Sequence, residues 1–214
     1  NKMLTFKGHF FGNGSMLARS LSLENEPYFN VEKLTNPTEM NFQEVLATVE
    51  KEFKSGEYLA VWIEPVLQKS MEKIPLEFLR RMRELCTQLG VALVYNETAS
   101  QFFRYSDKHF IASCVEGITP DAGLLYCSGQ SGITFASDQY FLEQPLMLIS
   151  TWDGDEFHFL SYYHAYKNVM ENLSDFHRTV NIFHEKLIAK LSLYELDSIK
   201  IDRGTGHFHG NLSE

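Results

Sequence analysis

The stretch PDAGLLYCSGQSG, Pro120 to Gly132, places a thiol and two hydroxyls, Cys127, Ser128 and Ser131, at the end of an apolar segment. A thiol attacks only as its thiolate, which needs a neighbouring base or positive charge. No basic residue lies near Cys127 in sequence, so it reads as an ordinary small residue at a strand end. Ser131 sits in Gly129-Gln130-Ser131-Gly132-Ile133 and lacks the second glycine that a nucleophile elbow requires two residues on. His207 and His209 alternate along a strand-like segment, but a zinc site needs a third protein ligand and none accompanies them. No metal is expected. His158, His164, His177 and His184 fall on helix-like segments; the last two share a face about 10 Å apart, too far for one ion, so all four read as packing or solvent residues. Glu64 and Glu97 each close an apolar run, WIEP and VYNE, and read either as strand-end carboxylates or as groups facing a cleft.

The elements that position these residues follow from hydrophobic spacing. Phe42, Val45, Leu46, Val49 and Phe53 form one face of a helix over Asn41 to Lys54, which Ser55-Gly56 ends. YLAVWI then reads as a strand buried on both faces. Leu76, Phe78, Leu79, Met82, Leu85, Cys86 and Leu89 recur at helical spacing up to Gly90, and VALVYN follows as another buried strand. A strand, a helix and a second strand in that order imply a βαβ crossover and a mainly parallel α/β sheet. Met3 to Phe6 reads as a further strand, and the residues from GHFFGNGS to Asn36-Pro37 as turn and loop. FIASC, GLLYC, GITFAS and PLMLIS are short apolar segments, the last three closely spaced, which reads as a sheet edge or as a hairpin with Gly129 to Gly132 in the turn. Helices are expected from Phe157 to Met170 and from Ser174, as N-cap, to Leu193. A strand, a glycine-rich turn and a partial strand close the chain.

Composition narrows the function classes. The 214 residues, 44% of them hydrophobic, suffice for one substantial core. A formal charge of -9 repels phosphate backbones and anionic lipid surfaces, so neither nucleic acid nor membrane is an expected partner. Three cysteines without a C-x-x-C pair suit a reducing compartment, and a cytoplasmic location is expected.

Several separated motifs occur in the order found in one family. AVWIEPV followed by PLEFLRRMRELCTQLGVALVYNE, then GITPD at Gly117 to Asp121, STWDG at Ser150 to Gly154, and IDRGTGHFHGNL resemble the class III aminotransferases, pyridoxal-phosphate enzymes of fold type I. The resemblance covers nearly the whole chain. It implies a mainly parallel mixed sheet flanked by helices. Residues 1–170 would form the large domain without its N-terminal phosphate cup, and residues 171–214 a linking helix and the truncated start of the small domain. It further implies cofactor-facing roles for Phe10, which matches the aromatic that stacks on the pyridoxal ring, for Glu64, Asn96 and Glu97, and for Thr151, which matches a threonine reaching a phosphate across a dimer interface. A homodimer is therefore expected, or association with other domains of a parent protein.

The departures from the family pattern bear on catalysis. Asn96 stands where the family has the aspartate that pairs with the pyridine nitrogen, and an amide cannot neutralise a pyridinium. Cys127, six residues after Asp121, stands where the family has its Schiff-base lysine, and no lysine lies between Lys108 and Lys167. The expectation is a degenerate, non-catalytic aminotransferase-like module with no cofactor, pyridoxal phosphate being implied by family resemblance alone. The alternative is an active transaminase-like enzyme with an unusual site. Noncovalent binding of a small acid or phosphate near Phe10, Asn96 and Thr151 is a third expectation.

Overall fold

The computed structural model describes residues 2–24, 28–104, 108, 116–128, 131–141, 156–193, 199–204 and 207–212. Its centre is a six-stranded sheet built from β1 (Lys2–Phe6), β2 (Val31–Leu34), β3 (Tyr58–Ile63), β4 (Ala92–Asn96), β5 (Ala122–Ser128) and β6 (Ser131–Ala136) in the order β2-β1-β3-β4-β5-β6. The first five are parallel and β6 returns antiparallel to β5. The mainly parallel mixed sheet expected from the alternating elements is present.

Two helices, α2 (Phe42–Phe53) and α3 (Leu76–Leu89), cover one face of the sheet. Their apolar stripes meet Leu4 and Phe6 of β1, Val61 and Ile63 of β3, and Leu93 and Tyr95 of β4 to form the core. Burying each such side chain is worth roughly 1.5–3 kcal/mol, which makes this layer the main source of stability. α3 stops where Gly90 adopts φ 68, a left-handed turn open to glycine without strain; its N–H and that of Val91 both reach the Cys86 carbonyl. At the amino ends of β4 and β5, Asp121 Oδ2 accepts from Leu93 N at 2.8 Å and pairs with Arg83 at 2.9 Å, tying α3 to both strands. Gly123 lies opposite Phe135 in the β5–β6 ladder; a Cβ there would sit 2.1 Å from the Phe135 ring, so the missing side chain gives the ring its place.

Four expectations need correction. A short helix, α1 (Met16–Ser22), capped by Ser15 Oγ on Ala18 N, and the edge strand β2 occupy part of the region read as loop. β3 is not buried on both faces: Leu59 is 56% exposed, and Ala60 and Trp62 are only half-buried, because the second face is covered only in part, with Phe11 edge-on to Trp62 at 5.8 Å. On α3, Leu76 and Leu89 are exposed at the helix ends. Ser174 lies inside α5 (Leu173–Leu193), whose first turn is closed by the Asn172 carbonyl accepting from Phe176 N.

Before α5 comes α4 (Glu156–Glu171), and after it the hairpin of β7 (Ile199–Gly204) and β8 (His207–Leu212), a separate two-stranded sheet. FIASC and PLMLIS fall outside the described residues, FIASC entirely and PLMLIS likewise. No helix among the described residues is long and apolar enough to cross a membrane.

Candidate functional site

Strand order locates the candidate site. From β1 the chain moves to β2 on one side, whereas β3, β4 and β5 step away on the other, so the connections diverge between β1 and β3. Open α/β sheets take ligands in the crevice beyond the carboxyl ends of strands at such a point. The segments leaving β1, β3 and β4 meet there, and they bring His9, Phe10, Glu64 and Asn96 together.

Backbone groups set this geometry. The Glu64 side chain is fully buried; its Oε2 accepts from Phe10 N at 2.6 Å and its Oε1 from Gln68 N at 3.2 Å, so it joins the loops that follow β1 and β3. Burial lifts its pKa to about 7, against the pull of the two backbone donors and the Lys69 charge. His9, 1% exposed, accepts the Glu64 N–H on Nδ1 at 2.9 Å, which leaves the proton on Nε2 to donate to Asn36 Oδ1 at 3.0 Å. Burial pushes its pKa down to about 4, against the Asn36 hydrogen bond. The ring is held neutral as a structural post.

Asn96 is equally engaged. Its Nδ2 donates to the Phe10 carbonyl at 2.8 Å, and its Oδ1 accepts from Thr98 N at 3.1 Å and Thr98 Oγ1 at 2.6 Å. Phe10 is thereby fixed at both its N–H and its carbonyl. The half-buried ring faces the Lys69 ammonium, 5.4 Å from its centroid. Glu97, fully buried, turns into the 97–101 bend, where it accepts from Ser100 Oγ. Gln101 extends that bend to the next strand, donating to Thr98 O and Tyr126 O while accepting from Tyr162 of α4.

Phe10, Glu64 and Asn96 thus converge, while Glu97 takes part in the adjoining bend. Cys127 is on β5, with its side chain outside the described residues, as are those of Ser128, Ser131, His207 and His209; Thr151 is outside them altogether. Among the described residues no cluster of histidines, cysteines and acids could hold a metal. His177 is half-buried with Nε2 3.4 Å from the Phe103 carbonyl, in keeping with a packing role. Cys86 is buried, and burial pushes its thiol up to about 12, far from a reactive thiolate. Sequence reasoning missed His9, Asn36 and Lys69. His9 holds a backbone N–H 55 residues away and Asn36 holds the His9 ring from 27 residues away, which no spacing rule reveals.

No protein-family model matches the chain, and no curated protein resembles it in sequence. Solved structures place its fold among the aminotransferases. Ornithine aminotransferase of Toxoplasma gondii is 17% identical with a TM-score of 0.76, over 99% of this chain and 52% of that one. Lysine aminotransferase of M. tuberculosis, in its internal aldimine form, is 17% identical with a TM-score of 0.75, over 96% of this chain and 52% of that one. An S-selective transaminase from Arthrobacter sp. gives 17%, 0.71, 99% and 54% respectively. The likeness is one of fold, and the chain spans about half the length of these structures.

Proposed function

We propose that the chain is a non-catalytic aminotransferase-like module that acts by association, as a homodimer or with other domains of a parent protein, in the cytoplasm. The observation that carries this reading is the commitment of Asn96: its amide spans the Phe10 carbonyl and Thr98, and it is an amide rather than a carboxylate. The residues here do not fit pyridoxal phosphate, since a pyridinium needs an ionised partner and the Schiff base needs an amine. By the family resemblance Cys127, a residue of β5, stands where a lysine is expected. Glu64 and His9 hold backbone N–H groups in place of reacting atoms.

In this reading residues 1–170 are a large-domain scaffold and 171–214 a linking helix with part of a small domain. Association is supported by α4 and α5, which bury no residue and expose Phe157, Leu160, Tyr163, Ile182 and Phe183.

The test is spectroscopic. Protein incubated with pyridoxal phosphate should develop no band at roughly 410–430 nm, the range of the internal aldimine chromophore, and borohydride reduction should leave no single residue stoichiometrically pyridoxylated by peptide mass. A band that borohydride discharges while leaving the pyridoxyl group on one residue would favour the alternative, an active transaminase-like enzyme with an unusual site.

A further inference from the structure

His207 and His209, whose side chains lie outside the described residues, have no third metal ligand beside them in sequence, and association through α4 and α5 gives them no part. The backbone register of the terminal hairpin supplies the missing member. Asp202 of β7 lies opposite His209 of β8, Gly204 opposite His207, and Lys200 opposite Asn211. Residues opposite one another in an antiparallel pair share a face, as do residues two apart along a strand. Asp202, His207 and His209 therefore stand on one face, and Gly204 completes that group of four positions without adding a side chain. The alternate positions carry Ile199, Ile201, Phe208 and Leu212, together with Arg203 and Gly210, so the hairpin divides into an apolar face and a histidine face.

We propose that Asp202, His207 and His209 bind one divalent transition-metal ion of the zinc type as a clamp across β7 and β8. Two imidazoles and a carboxylate are a donor set that zinc accepts, with water completing its coordination. Directly opposite residues have Cβ atoms about 4.5–5.5 Å apart and diagonal ones about 7–8 Å, within reach of aromatic side chains. Asp202 and His209 are a pair of the first kind, Asp202 and His207 of the second. Nitrogen donors select against magnesium and calcium, which take oxygen ligands. Lys200, diagonal to His209, opposes a cation, so binding of moderate strength is expected. An antiparallel pair packs its apolar face and leaves the other to water, which keeps the histidine face open to the ion. A two-stranded sheet is marginal by itself, and β7–β8 is separate from the main sheet. An ion held by both strands binds only the paired form and so favours it.

Calorimetric titration of the intact chain with ZnCl2 at about pH 7.5, where an unperturbed histidine is neutral, tests this. One ion per chain is expected, with a dissociation constant on the order of 10 μM, and MgCl2 should give no saturable heat. His209→Asn and Asp202→Asn should each weaken zinc by at least about tenfold, whereas His164→Asn, at an exposed position of α4, should leave its affinity unchanged. In the wild type, zinc should move the imidazole resonances of His207 and His209 together, a readout that depends on no variant folding. The proposal fails if zinc gives no saturable heat, if magnesium binds as tightly, if His209→Asn or Asp202→Asn leaves the affinity unchanged, or if other histidines move in place of this pair. None of these outcomes touches the non-catalytic reading, which the borohydride experiment tests separately.

Discussion

Helices α2 and α3, of 12 and 14 residues, each bury four side chains against the sheet, whereas α4 and α5, of 16 and 21 residues, bury none. Both pairs are well-formed helices containing large apolar groups, so the difference lies in what covers them. α2 and α3 face strands, while among the described residues α4 meets the bend that follows β4 at one corner of the sheet. There Tyr162 packs edge-on to Phe102 at 4.9 Å and donates to Gln101, and Tyr166 stacks on Phe103 at 5.7 Å. That corner is strained, since Phe102 and Phe103 both adopt left-handed φ, 65° and 57°, which bulky residues rarely accept. Helix formation is thus separable here from core formation. The sharpest break is Phe78→Ala in α3, where a fully buried ring packs edge-on to Phe6 at 5.5 Å. A loss of about 3–5 kcal/mol is expected in urea unfolding; a loss under about 1 kcal/mol would mean the sheet layer is not the main core.

The sheet side also carries the strongest pH effects, and two of them oppose each other. Glu64 has a folded pKa raised from 4.5 to about 7, so its contribution is complete below pH 4.5 and is lost as pH rises towards 7, where the folded state must ionise a buried acid. His9 has a folded pKa lowered from 6.5 to about 4, so its contribution is complete above pH 6.5 and is lost as pH falls towards 4, where the unfolded chain takes up the proton first. Each is worth about 3 kcal/mol at the limit. Wild-type stability should therefore vary little between pH 4.5 and 6.5 on account of this pair. Glu64→Gln should make stability rise with pH across that window, and His9→Gln should make it fall, as read by denaturant midpoints at several pH values. Parallel pH profiles for both variants and the wild type would show that neither group is buried as described.

How much of this was legible in the sequence also divides by region. α2 and α3 announced themselves because their partner is a sheet, which imprints a stripe at helical spacing: Val45, Leu46, Val49 and Phe53 on one, Phe78, Leu79, Met82 and Cys86 on the other. β2, by contrast, has the sequence VEKL and no fully buried residue; it is a strand because β1 offers it a ladder from Met3 to Phe6. α1 is short, and its cap Ser15 follows the glycine-rich GNG that reads as a turn. In the crevice, Phe10, Glu64 and Asn96 were legible through family resemblance. The way they are joined was not, because each bond runs from a side chain to a backbone group of Phe10, in the loop that follows a different strand.

The smallest expected stability effect bears on the other side of the comparison. Leu160 is 56% exposed on α4 and Ile182 is 45% exposed on α5, so Leu160→Ser and Ile182→Ser remove apolar surface that the monomer leaves in water. Each should change monomer stability by no more than about 0.5 kcal/mol. If these faces are the association surface, the same substitutions should shift sedimentation velocity profiles towards the monomer, since desolvated apolar side chains carry most of the energy of such contacts. A loss of more than about 1 kcal/mol in the monomer would instead mean that α4 and α5 are covered within a single chain, and the contrast with α2 and α3 would collapse. Unchanged stability together with an unchanged oligomeric state would remove these faces from the proposed association surface, and the search for it would pass to the partly covered face of β3 around Leu59 and Trp62.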